Sequence, residues 1–208
     1  MNEFDQKAVV WDKNPAYHDR AETVARAIIE EIPVSNQMTA LEFGAGTGLL
    51  SFMLKDKLRE IILMDSSAGM VRVMNEKIRE TRAANLRAVE FDLTRDEYTG
   101  ERLDLIYTLM VLHHVDDIEG IIRKFHDLLK PGGYLAIADL YPEDGSFHGE
   151  GFTGHKGFDP GRLSRLLEKA GFSGISHVPA YTIEKLTQGN TLKRFELFLM
   201  TATRLKKV

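Results

Sequence analysis

Residues 41–49, Leu41-Glu42-Phe43-Gly44-Ala45-Gly46-Thr47-Gly48-Leu49, decide how this 208-residue chain is read. An apolar strand runs into a glycine-packed turn and then into a helix. Gly44 and Gly46 can adopt backbone angles closed to other residues, and neither carries a side chain that would block a ligand. N–H groups at the start of the following helix are then expected to face the ligand and to favour negative charge. Strand, turn and helix in this order predict a nucleotide-type cofactor site.

The spacing narrows the cofactor. A dinucleotide fingerprint reads G-x-G-x-x-G, but counting from Gly44 the third position falls on Leu49. The motif is instead G-x-G-x-G, ending at Gly48, and no Gly-Lys-Ser/Thr of a phosphate loop follows. A second apolar strand, Glu60 to Asp65, ends in an acid about 20 residues beyond the first glycine, which suits a grip on ribose hydroxyls. A third, Leu86 to Phe91, leads into Asp92 at the same sheet edge.

Outward from this centre, helices alternate with apolar strands. Ala21, Val24, Ala25, Ile28, Ile29 and Ile32 fall at helical spacing ahead of the first strand. Ser66 and Ser67 stand where a cap would begin the helix carrying Met70, Val73, Met74 and Ile78. Leu103 to Leu112 is nearly all apolar, as expected of a parallel strand covered on both faces. Asp116 is the expected cap of a helix with Ile118, Ile121, Ile122, Phe125 and Leu128, stopped by Pro131-Gly132-Gly133 before a strand over Tyr134 to Leu140. Leu163, Leu166, Leu167 and Ala170 mark a late helix, and strands near His177–Ile183 and Phe195–Thr201 should pair through a turn at Gln188–Asn190. The pattern predicts an α/β fold with an open, mostly parallel sheet between two layers of helices.

Composition limits the function classes. The net charge of −4 gives no basic field for nucleic acid, and the absence of cysteine removes disulfides and thiolate-bound zinc. Residues 1–14 lack the apolar core of a signal peptide, and no segment is expected to span a bilayer. A single cytoplasmic domain over residues 1–208 is expected.

Five motifs in order, LEFGAGTG (41–48), LMDSS (63–67), EFDL (90–93), LDLIYTLMVLHHVDD (103–117) and LLKPGGYLAIADL (128–140), make the chain resemble the class I S-adenosylmethionine (SAM)-dependent methyltransferases. The group containing the ubiquinone and menaquinone biosynthesis methyltransferases is the one it is most similar to. The resemblance implies a Rossmann-like three-layer sandwich, a seven-stranded sheet with a C-terminal antiparallel hairpin, and SAM as methyl donor with S-adenosylhomocysteine as product. It implies that Gly44, Ala45 and Gly46 admit the amino-acid part and ribose of SAM. Asp65, with Ser66 beside it, would hold the ribose hydroxyls. Asp92 and the backbone of Leu93 would hold the adenine, with Met70 against the ring or simply in the core. Glu42 would organise the methionine end, and Leu109 and Met110 would lie near the sulfonium.

Two segments are expected around this site. Residues 1–35 form a helical lid in which Trp11, the sole tryptophan, or Tyr17 covers the cofactor or anchors the helix. Residues 141–158 form a glycine-rich loop beside the methyl group. His148 is the preferred base and His155 the second. His113 and His114 read as packing or turn residues, and Asp139 as a structural strand-end acid. The histidine spacing matches no tight metal template, so no metal is expected. A small-molecule acceptor is favoured, and the strand-rich C-terminal edge suits pairing with a second copy. The alternatives are a SAM-binding protein with another reaction or a regulatory role, and an NAD-dependent oxidoreductase on the same doubly wound sheet.

Overall fold

A computed structural model describes residues 3–206 except Gly189. Seven strands, β1 (Thr39–Phe43), β2 (Glu60–Asp65), β3 (Leu86–Glu90), β4 (Leu103–Leu109), β5 (Leu129–Leu140), β6 (Phe172–Leu186) and β7 (Leu192–Arg204), form one sheet. Its order is β3-β2-β1-β4-β5-β7-β6. The first five strands are parallel, and β7 runs antiparallel to both β5 and β6. The helices are α1 (Glu3–Trp11), α2 (Pro15–Glu31), α3 (Leu49–Leu54), α4 (Ala68–Thr81), α5 (Ile118–Leu128) and α6 (Pro160–Lys169).

Period-two alternation sorts the strand side chains into two cores. Leu41, Phe43, Ile106, Leu135 and Ile137 pack with Ile121, Ile122 and Phe125 of α5 and with Leu163 and Leu167 of α6. Ala40, Ile61, Leu63, Leu105 and Tyr107 pack on the other side with Val24 and Ile28 of α2, Leu50 and Leu54 of α3, and Met74 of α4. The result is the expected three-layer sandwich with its antiparallel C-terminal pair.

Several boundaries differ from the sequence expectation. Asp117, not Asp116, caps α5, accepting from Gly120 N–H at 2.8 Å. β5 begins at Leu129 and carries Pro131-Gly132-Gly133 within it, because Leu103 already pairs with Leu129. The C-terminal strands are far longer than their apolar centres, since main-chain pairing continues to Leu186↔Leu192. At the expected turn, Thr187 N–H donates to Thr191 O at 3.0 Å, while Gly189 lies outside the described residues. The edge strand β6 contains Pro179 and two register shifts, features that discourage pairing with another chain. Among the described residues, no helix is long and apolar enough to cross a membrane.

Candidate functional site

The strand order reverses between β1 and β4, and ligands of open α/β sheets bind outside the carboxyl ends at such a point. Gly44, Gly46 and Gly48 all have positive φ there (67°, 56° and 81°). A Cβ on Gly44 would lie 2.5 Å from the Val111 side chain, so glycine lets the ends of β1 and β4 meet. A Cβ on Gly46 would have no neighbour within 4 Å and would project into open space. Gly48 instead brings α3 onto the sheet, since its Cβ would lie 2.6 Å from the Leu63 side chain. It therefore does, one residue early, the packing work of a dinucleotide motif's third glycine.

Most N–H groups of the turn are engaged, and at the helix start Ser51 N–H is as well. Ala45 N–H donates to Met64 O, Gly46 N–H to Asp65 Oδ2 at 2.7 Å, Gly48 N–H to Ala45 O, and Ser51 N–H to Glu42. With α3 only six residues long, the turn supplies shape and the acids supply polarity. Asp65 bridges the glycine turn to Ser67 N–H (2.8 Å), and burial pushes its carboxyl up in pKa. Two accepted bonds leave about half of a carboxylate's roughly four acceptor positions for a ribose. Glu42 is only 3 % exposed and accepts from the Ser51 hydroxyl, which also contacts Tyr107 Oη at 2.6 Å. Burial pushes Glu42 up to about 8, so it is protonated at neutral pH.

The remaining expected cofactor residues are dispersed in character. Ser66 is exposed, whereas Ser67 is buried and caps α4 through Met70 N–H. Met70 and Leu93 are each 1 % exposed and belong to the interior. Asp92 accepts from Thr94 N–H and Oγ1 and faces Arg95 Nε at 3.3 Å. Leu109 at the end of β4 and Met110 just beyond it are half-buried, and Met110 holds φ +60°, a backbone state rarely adopted by a branchless apolar side chain without external constraint. Its N–H is fixed to Ala138 O at 2.8 Å.

Over this edge lies α1. Asp5 accepts from Ser67 Oγ (2.6 Å) and Gly69 N–H (2.9 Å) at the start of α4. Asp12 accepts from Thr47 Oγ1 and from Lys77 Nζ (2.6 Å), and Lys77 also donates to Thr47 O. The N-terminal segment is thus tied to the glycine turn and to α4. Trp11 and Tyr17 pack at 4.8 Å with their rings tilted by 40°, while Phe4 contacts both Trp11 and the His114 ring.

Just past β4, His113 meets Asp139 near the end of β5. Their side chains are 1 % and 0 % exposed, with Nδ1 2.7 Å from Asp139 Oδ1. Asp139 also accepts from His113 and Leu140 N–H groups, which orients it. Nε2 of His113 is buried without a hydrogen-bond partner among the described residues. The expectation of a packing or turn residue at His113 and a structural strand-end acid at Asp139 left out that the two side chains bind each other. The overlooked signal was a lone carboxylate inside the apolar run of β5, a strand covered on both faces. Arg20 was also missed. It occupies the apolar stripe of α2 four and eight residues before Val24 and Ile28, and within electrostatic reach of it are Tyr17, Tyr181 and Asp139. Burial lowers its pKa, and its Nε has no partner.

The loop after β5 closes the other side. Gly154 and Gly157 press it against backbone, because a Cβ would come within 2.3 Å of His113 O or 2.1 Å of Tyr141 O. Lys185 Nζ binds Phe147 O, anchoring Phe147 with Leu140, Phe195 and Leu197. His148 stacks on Phe152 at 3.9 Å and sits 5.0 Å from the His113 ring. Burial, then the neighbouring His113 and His114, push it down to about 4, so it is neutral at physiological pH. His155 is engaged elsewhere: its N–H donates to His113 O and its Nε2 contacts Val115 O at 3.0 Å.

Comparison with known proteins agrees with this geometry. The model of a family described as "Methyltransferase domain" matches residues 17–177. An uncharacterized methyltransferase of Schizosaccharomyces pombe is 33% identical over 152 residues, 65% of this chain and 54% of its own length. A polyketide synthase-nonribosomal peptide synthetase of Aspergillus flavipes is 29% identical over 202 residues, 86% of this chain but 5% of its own length. The chain thus spans about half of the first relative and a small part of the second. A solved SAM-dependent methyltransferase of Aquifex aeolicus shares the fold with a TM-score of 0.68 at 19% identity, covering 97% of this chain and 98% of its own. With its matched domain, sheet order and glycine turn, the chain belongs to the class I SAM-dependent methyltransferases.

Proposed function

We propose that this protein transfers a methyl group from SAM to a small-molecule acceptor, with His113 as the base that removes the acceptor's proton. The observation that carries this reading is the buried Asp139–His113 pair with an unpartnered Nε2. Asp139 accepts a hydrogen bond from Nδ1–H, which fixes the tautomer and leaves the Nε2 lone pair as the proton acceptor. The imidazolium formed by that transfer is then stabilised by the adjacent carboxylate.

The residues at the sheet edge fit SAM. Gly46 leaves open space, Asp65 retains acceptor positions for ribose hydroxyls, and Met110 is held rigidly where β4 ends. When bound, SAM supplies an electrophilic methyl group on sulfur, so the protein's work is positioning and proton removal. Gly44, Ala45 and Glu42 would border the methionine end, with Asp92 and Leu93 near the adenine and Trp11 on the lid. In this reading His148 lines the acceptor side while His155 fastens the loop beneath it. Lid and loop converge on His114, whose ring meets both Phe4 and Phe152, and this enclosure favours a small acceptor over a polymer.

The test is transfer from labelled SAM to a panel of phenols, thiols and 1,3-dicarbonyl compounds. His113→Gln and Asp139→Asn should each lower kcat by roughly 10²–10⁴-fold. S-adenosylhomocysteine affinity, read by calorimetry, should stay unchanged in both. Undiminished turnover in His113→Gln would remove the base assignment, and failure of the parent protein to bind SAM would remove the whole reading.

A further inference from the structure

Proton removal needs one buried imidazole nitrogen, yet the cluster holds two without partners: Nε2 of His113 and Nε2 of His148. One ring nitrogen from each of His113, His114 and His148 lies within 4.8 Å of the others. The ring centroids are 4.3 Å apart for His113–His114, 5.0 Å for His113–His148 and 5.1 Å for His114–His148. Three imidazoles drawn from two separate segments, with two orphaned nitrogens, form a donor set that the base mechanism does not explain.

We infer that His113, His114 and His148 form a binding site for a borderline divalent transition cation of the zinc type. Imidazole suits such ions, whereas magnesium and calcium prefer oxygen. The surroundings of His113 are those of a metal ligand: a metal-bound histidine characteristically gives its other ring N–H to a carboxylate, and Asp139 accepts from Nδ1. The buried carboxylate also offsets part of the cation's charge. Three protein nitrogens leave a fourth position open, as in zinc sites that hold water or substrate.

Closure demands only a modest movement. Zn–N bonds of about 2.0–2.1 Å in tetrahedral geometry place the nitrogens roughly 3.4 Å apart, so the cluster must tighten by no more than about 1.4 Å. His113 and His114 lie on a short 3-10 turn fixed by the ends of β4 and β5, so His148 is the ligand that moves. Its loop has positive φ at Gly145, Gly149 and Gly151, and its ring rests flat on Phe152, along which it can slide. Metal and proton then compete for the same His113 lone pair. This consequence rests on the base assignment above; the binding site does not. An occupied cluster is silent as a base, and zinc inhibits methyl transfer reversibly.

The test is equilibrium dialysis of the full chain against Zn(II), with Co(II) absorption as a spectroscopic report of imidazole coordination. One equivalent should be retained, with no comparable uptake of Mg(II). His148→Ala should lower affinity at least 100-fold, and Asp139→Asn by roughly 10–100-fold. Circular dichroism and S-adenosylhomocysteine binding show whether each variant is folded. Less than one equivalent bound, or unchanged affinity in folded His148→Ala, overturns the site. The two ideas fail separately: a metal-free enzyme that needs His113 for turnover keeps the base and loses the metal, whereas full metal uptake by a protein whose His113→Gln variant turns over normally does the reverse.

Discussion

At Asp65 a single carboxylate ties the glycine turn to the start of α4 at the proposed cofactor edge, and its neighbours show what a substitution can test. Asp65→Ala would strip partners from Gly46 and Ser67 N–H together, confounding shape with affinity. Asp65→Asn keeps the size and one acceptor oxygen while removing the charge. It should weaken SAM binding by roughly 1.5–3 kcal/mol in calorimetry. Glu42 gives a separate pH signature. In the folded protein it holds its proton to about 8, whereas an exposed carboxyl releases it near 4.5. Between those values the folded state binds the extra proton, so this group's contribution is complete below about 4.5 and is lost as pH rises to about 8. Glu42→Gln should remove that slope, and its denaturant stability relative to the parent should rise by the order of a few kcal/mol from pH 5 to pH 8. A parallel pair of pH profiles would contradict the burial argument. The place of Asp65 beside the glycine turn was legible because the strand that it ends pairs with β1. The His113–Asp139 pair was not, because 26 residues separate partners that meet only once β4 and β5 lie in register, Leu109 beside Ala138.

Among the elements, the glycine turn, the parallel strands and the cap at Ser67 follow from local chemistry, which is why their places could be read from the sequence. Helix α1 was harder to read. Among its described side chains only Ala8 is fully buried, while Val9 and Val10 face outward, so the segment lacks a clear apolar stripe and is placed by polar contacts made at long range. Those contacts offer an unusual experiment at Gly69. Its φ is not in the left-handed region, so alanine suits the helix there and gains up to about 1 kcal/mol in propensity. An added Cβ, however, would sit 2.8 Å from the Asp5 backbone and push α1 away from α4. Gly69→Ala should therefore leave the melting temperature of the free protein nearly unchanged while raising KM for SAM several-fold and accelerating amide exchange in α1. Lys77→Met, which removes the partner of Asp12, should act in the same direction. An unaltered KM in both variants would mean that α1 takes no part in holding the cofactor.

For the molecule as a whole, the site lies where four independent pieces converge: the β1 turn, the β4–β5 ends, α1 with α2, and the loop before α6. Each is anchored to another by a few bonds, so a ligand seated between them stabilises the folded chain by mass action. A ligand at 100 times its Kd contributes about 2.7 kcal/mol. For a chain of this length each kcal/mol raises the melting temperature by roughly 2–4 °C, which gives a shift of about 5–11 °C. SAM and S-adenosylhomocysteine should both produce it. NAD should not, because the helix after the turn is drawn in at Gly48 against Leu63, and Leu49 stands where a pyrophosphate motif places its third glycine. The same scan separates cofactor from chemistry, since His113→Gln should keep the full shift while losing turnover. A shift with NAD alone would reassign the pocket, and a SAM shift lost in His113→Gln would mean that the Asp139–His113 pair holds the cofactor edge together instead of serving the acceptor.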